Sequence, residues 1–259
     1  MIDIKELKIS FNNKSLVDIA FTIKSSTALI GESGSGKSLT LKAILNLLSS
    51  SLEVKKNISS DFELSFDTIG FIPQNPFTSL SSMTKIKNQI FCSDEKKEEV
   101  FKLLDLPLEI LEKYPSQISG GQTQRVVIAI ALSRDIKLLL LDEPTTALDF
   151  ENKTNIVNIV KDLKDKLNIN ILFVTHDIES IKDICDDIVI IKNGYVVEFG
   201  KTQEVLYHGL KLLQLQLFEF AHHLFVKGIF LKFLKVNLKV YKPLLFFHHY
   251  RKSDFLSLS

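Results

Sequence analysis

The stretch Gly31-Glu32-Ser33-Gly34-Ser35-Gly36-Lys37-Ser38, "GESGSGKS", decides the fold. Its spacing is G-x-x-x-x-G-K-[ST], a phosphate-binding loop. Ala28-Leu29-Ile30 before it reads as the end of a buried strand, and "LTLKAILNLL" from Leu39 onward has helical length and apolar spacing. The motif needs this strand–loop–helix setting. Glycines let the backbone curl until successive N–H groups face phosphate oxygens, and the helix N-terminus adds its partial positive charge. Lys37 is expected to reach the β- and γ-phosphates, and the Ser38 hydroxyl to ligate Mg²⁺. The loop therefore holds a nucleoside triphosphate, with Leu39 directly behind it.

Working outward, "LLLLDEP" at 138–144 supplies the other half of a nucleotide site. Four consecutive leucines read as a strand buried on both faces, which fixes the position of its end. Asp142 is expected to hold Mg²⁺, directly or through water. Glu143 can polarise a water for in-line attack on the γ-phosphate. "ISGGQTQR" at 118–125 reads as a second phosphate-seeking helix start, with Ser119 as cap and Gly120 and Gly121 leaving the first N–H groups bare. One chain with one phosphate loop and two such helix ends is most economically explained by a second protomer, whose triphosphate this helix covers.

Strand-like and helical segments alternate along the rest of the chain. "IDIKELKISF" and "LVDIAFTI" flank the turn Asn12-Asn13, "TIGFIPQ" ends at Gln74, and residues 75–118 are polar and helical in character. "ENKTNIVNIVKDLKDKL" is an amphipathic helix, "NILFVTHD" a strand, and "DIVIIKNGYVVEFG" a hairpin turning at Asn193-Gly194. This is the pattern of an α/β domain.

The 259 residues, with a net charge of +1, suffice for one large or two small domains and give no sign of a nucleic-acid partner. Cys92 and Cys185 form no metal or disulfide pattern, so a reduced compartment is expected. The charged opening "MIDIKELKIS" is expected not to be a signal peptide, and no run of about 18 uncharged apolar residues occurs. Composition shifts near residue 207. From Tyr207 to Ser259 there are eight Lys/Arg against two Asp/Glu, a net of +6; the remainder carries 24 against 29, a net of −5. The same segment holds five of the six histidines and eight of the nineteen phenylalanines, which marks a boundary there.

With "GESGSGKS", "FIPQ", "ISGGQ", "LLLLDEPTTALD" and "FVTHD" in this order, the chain resembles the ATP-binding subunits of ABC transporters from about residue 2 to 208. The resemblance implies a P-loop NTPase core of mainly parallel sheet, a small antiparallel β subdomain and a helical subdomain at about 75–130. It implies a head-to-tail dimer with an identical or sister ATPase and two ATP molecules at the interface. It assigns Gln74 to Mg²⁺ and to sensing the membrane subunits, and Ser119, Gly121 and Gln122 (with Gly120 in the same motif) to the partner's ATP. Asp149 is assigned to contacts across the interface, His176 to the γ-phosphate, and Phe11 to adenine stacking, although Phe11 reads equally as a core phenylalanine.

Within the family, "PQNPFTSLSSM", "GSGKSLT" and "YPSQISGGQTQR" are similar to the peptide and nickel importer group, and the chain's length is nearer the nickel-type subunits. That group implies two membrane permeases, a periplasmic or lipid-anchored substrate-binding protein, a coupling surface around residues 75–118, and a peripheral place on the cytoplasmic face of the plasma membrane. Soluble ABC-type ATPases of DNA repair, chromosome structure or translation are the alternative. The first two separate the loop from the "SGGQ" helix by a long coiled coil, and no heptad series fills the interval here; translation factors carry two such domains in one chain. Beyond "EVLYHG" the group's pattern stops, with Gly209 where proline is expected. Three readings stay open for 208–259: a packing or partner segment, a basic surface-seeking segment, or a frameshift product. The adjacent pairs His222-His223 and His248-His249 each point in different directions on helix or strand, so neither chelates a metal easily alone.

Overall fold

The computed structural model describes residues 1–145 and 150–207. Asp149, and the segment from His208 on with both histidine pairs, lie outside the described residues. Met1–Val205 forms one compact unit.

The chain opens with an antiparallel hairpin, β1 (Ile2–Phe11) and β2 (Lys14–Ile23). Asn12 and Asn13, at φ 48° and 61°, make its two-residue turn. Positive φ at both central positions suits asparagine and matches the right-handed strand twist. β3 (Ser26–Ile30), buried throughout, runs into the phosphate loop and then α1 (Lys37–Ile44). β4 (Glu53–Ser60) pairs with β1 at the edge of the sheet.

β5 (Ile69–Ile72) ends two residues before Gln74. Residues 75–118 are less helical than their composition suggests. They hold α2 (Asp94–Leu103) and four short 3-10 turns, Pro76–Ser79, Ile86–Gln89, Leu108–Glu112 and Pro115–Gln117. Pro76, Pro107 and Pro115 stand at or just before the start of three of these turns, where a missing N–H and a fixed φ start a turn but cannot extend one backwards. α3 (Gly120–Leu132) follows, then β6 (Leu138–Asp142), α4 (Phe150–Leu167), β7 (Asn170–Thr175), and the hairpin β8 (Asp187–Lys192) and β9 (Tyr195–Lys201). Asn193 and Gly194, at φ 52° and 83°, make the second two-residue turn.

The nine strands of the described residues form one sheet in the order β4-β1-β2-β9-β8-β3-β7-β6-β5. β8, β3, β7, β6 and β5 run parallel; β1, β2 and β4 pair antiparallel. The antiparallel part is continuous with the parallel part through a single parallel bridge, Asp18 to Tyr195. Leu138–Leu141, all fully buried, stand between β5 and β7, and each such leucine contributes about 1.5–3 kcal/mol by leaving water. The C-terminal ends of β3, β6 and β7 therefore lie side by side. The phosphate loop follows the first, Asp142-Glu143 the second, and His176 the third.

Candidate active site

The loop is shaped by close backbone approaches. A Cβ on Gly31 would come within 2.4 Å of the Ile191 carbonyl oxygen and 2.5 Å of Ser35 Oγ. Gly36 sits at φ 107°, the left-handed region glycine enters at low cost, and caps the start of α1. Lys37 is buried apart from 6 % of its surface, and its Nζ donates to the carbonyl oxygens of Gly31, 2.7 Å away, and Glu32, 3.0 Å away. Ser35 is also buried, and its Oγ has no hydrogen-bond partner among the described residues. Glu32, Ser33, Gly34 and Ser38 are exposed, and Leu39 is half-buried.

Glu143 joins the expected catalytic residues into one cluster. Its Oε1 lies 3.9 Å from Lys37 Nζ and 3.2 Å from His176 Nδ1, and its Oε2 accepts from Gln74 Nε2 at 3.3 Å. Its backbone holds φ 46°, uncommon for a residue with a side chain, and its N–H donates to the Val174 carbonyl at 2.8 Å. That bond ties the residue after β6 to β7 and aims the carboxylate at the loop. Burial first, and then the neighbouring Glu143 carboxylate, raise the Asp142 carboxyl above its ordinary value, while Lys37 and Lys42 oppose this. A cation beside Asp142 and Glu143 would relieve both effects.

The site fits a polyphosphate and a hard cation. The unpartnered Ser35 hydroxyl, the buried Lys37 ammonium and the start of α1 are donors gathered around one loop. Ser38, Gln74 and Asp142 offer hydroxyl, amide and carboxylate oxygens, the donor set Mg²⁺ takes.

The second helix start is built as its sequence predicts. Ser119 Oγ accepts from Gln122 N at 3.2 Å, and Gln122 Oε1 accepts from Ser119 N at 3.0 Å, a reciprocal capping box. Both side chains bond within their own turn, and among the described residues neither reaches the Gly31–Leu39 loop. Phe11 ends β1 with 44 % of its surface exposed, so it is not a core residue. Missed at the sequence level were Asn152 and the Lys153–Asp177 ion pair, which pack the start of α4 against Gly121 and against the residue after His176. Their only signal is proximity in the fold.

A phosphate loop after the first parallel strand, with a buried strand delivering Asp142-Glu143 opposite it, defines a P-loop ATPase. Residues 16–146 match the family model described as ABC transporter. Over 242 residues the chain is 33 % identical to the oligopeptide transport ATP-binding protein OppD of Bacillus subtilis, covering 80 % of this chain and 68 % of that one. It is 33 % identical over 236 residues to the methionine import ATP-binding protein MetN of Streptococcus pneumoniae, covering 79 % and 66 %. The dimeric post-hydrolysis structure of the ATP-binding cassette MJ0796 with ADP and Pi superposes with a TM-score of 0.65 at 25 % identity, over 78 % of this chain and 99 % of that one. The chain belongs to the ABC transporter family and is an ATP-binding ATPase of the peptide and nickel importer group.

Proposed function

We propose that this protein is the ATP-hydrolysing subunit of an importer of short peptides, acting through two separate membrane permeases and a substrate-binding protein. The observation that carries the ATPase half of the reading is the convergence of Lys37, Gln74 and His176 on the Glu143 carboxylate at the mouth of the phosphate loop. The peptide half rests on the relatives' printed names, which support peptide over nickel within the importer group. The methionine import relative favours a second reading, a small amino-acid cargo.

In this reading Gly31–Leu39 wraps the phosphates, Lys37 turns from the loop carbonyls to the β- and γ-phosphates, and Ser35 Oγ gains a partner. Ser38, Gln74 and Asp142 would hold Mg²⁺, which when bound offsets phosphate charge. Glu143 accepts a proton from the attacking water, and His176 donates to the γ-phosphate. Phe11, exposed at the end of β1, offers its ring to adenine. Ser119, Gly120, Gly121 and Gln122 of one protomer close over the ATP of an identical or sister protomer, and Asp149 contacts it across the interface. The dimeric MJ0796 cassette supports that arrangement. Residues 1–207 form the ATP-binding domain, with a helical subdomain at about 75–130 that meets the permeases, and 208–259 are its atypical basic and apolar C-terminal sequence. Among the described residues no helix is long and apolar enough to cross a membrane; it is the importer reading that puts the protein at the cytoplasmic face, as a peripheral subunit.

The test is uptake. Deleting the gene should abolish accumulation of labelled short peptides and spare labelled methionine and nickel. Loss of methionine uptake alone would favour the second reading, and loss of nickel uptake alone would restore the nickel reading.

A further inference from the structure

The first turn of α4 touches two functional segments that are distant in sequence. On one side, Gly121 lies so close to Asn152 that a Cβ there would fall 2.2 Å from Asn152 Oδ1 and 3.0 Å from Cγ. Gly121 thus serves packing as well as bare N–H groups: its missing side chain admits the Asn152 amide against the start of α3. On the other side, Lys153 Nζ pairs with Asp177 Oδ2. Asp177 is itself fastened, accepting from Ser180 Oγ at 2.7 Å and from Glu179 N at 3.1 Å, while its own N–H donates to Thr175 Oγ1 at 3.0 Å. These contacts set the backbone on both sides of His176. Lys153 and Asp177 are both partly buried, with side-chain exposures of 32 % and 26 %. An ion pair at that depth is screened less than one on the open surface. Adjacent residues of one helical turn therefore grip the capping-box turn and the His176 turn.

We propose that the first turn of α4 is a strut, with Asn152 and Lys153 as positioning residues, that couples the His176 end of a protomer's own site to the Ser119–Gln122 turn it offers to the other protomer. This rests on the site reading above. A change at one turn is transmitted because the turn between them is rigid: a helical turn whose two neighbouring side chains are each held in place leaves little slack. Coupling between sites is reciprocal, so a break at either grip must register at both ends.

The experiment is amide hydrogen exchange on the full chain without nucleotide, comparing wild type with Lys153→Met, Lys153→Arg and Asn152→Ala. Lys153→Met should speed exchange at 177–180 and also at 119–123, which Lys153 does not bond, by about 2- to 30-fold. Lys153→Arg, which keeps a cation for Asp177, should leave 119–123 within about twofold of wild type. Asn152→Ala should speed exchange at 119–123 and reciprocally at 177–180, and carries the same test where Lys153→Met does not fold. An effect of Lys153→Met confined to 177–180, or of Asn152→Ala confined to 119–123, would overturn the strut. A uniform rise over the whole chain, tracking a lower Tm, would overturn it too. Because no nucleotide is present, failure here leaves the ATPase reading standing, and failure of that reading leaves the exchange result interpretable.

Discussion

At the scale of residues, Glu143 organises the site. Lys37, Gln74 and His176 come from three different stretches and meet at its carboxylate. Glu143→Gln removes the proposed proton acceptor and keeps the shape, so turnover should fall by about 10²–10⁴-fold while Mg²⁺-ATP still binds. Steady-state hydrolysis alongside a nucleotide-binding titration checks this, and near-normal turnover would remove Glu143 as the base. Gly31→Ala probes the loop itself. With the Ile191 carbonyl 2.4 Å from the added methyl, the backbone must shift, at a cost of about 1–3 kcal/mol. Thermal unfolding should show the loss, and ATP affinity should fall with it. The phosphate loop, Asp142-Glu143 and the Ser119–Gln122 cap were readable from the chain because each is a local pattern with a local cause. The meeting at Glu143 was implied by the family resemblance and not by any local pattern. It depends on strand order and on a left-handed backbone at a glutamate, and neither leaves a mark in the spacing of residues.

At the scale of elements, long periodic segments announced themselves and short ones did not. α3, α4 and β6 lie where their apolar spacing put them, since burial on one face or both imposes that spacing. Apart from α2, residues 75–118 resolved into turns, because short polar runs broken by proline carry no period to read. Ion pairs tie distant elements. Asp186 accepts from Lys164 Nζ of α4 at 2.6 Å and from Ser26 Oγ of β3 at 3.0 Å. Partial burial raises its carboxyl, but those bonds outweigh burial and hold it below the ordinary 3.8. Asp177 is held low in the same way, partial burial being outweighed by the bonds from Lys153 and Ser180. A carboxylate with a lowered folded pKa adds stability above its unfolded pKa and loses it as pH falls through the folded one. The protein should therefore lose these contributions below about pH 4. Asp186→Asn should lower the urea midpoint at about pH 7 and by less at about pH 3, because the wild-type carboxylate loses its contribution as pH falls toward its lowered folded pKa. Equal midpoint differences at both pH values would contradict the assignment.

At the scale of the molecule, every residue assigned to ATP or to the other protomer lies before residue 177, and β9, the last described strand in the chain, ends at Lys201. A stop after His208 should leave Mg²⁺-ATP affinity within a few-fold. Loss of binding on truncation would make 208–259 part of the core and move the boundary near 207. The central claim is that one protomer's Ser119–Gln122 turn closes over the ATP held by another's Gly31–Leu39 loop. Multi-angle light scattering of the Glu143→Gln chain, with and without ATP and Mg²⁺, tests it most directly, since blocked hydrolysis should hold the closed state. The account predicts a monomer without nucleotide and a shift toward the dimer mass when both are added. A tight dimer without nucleotide would contradict it.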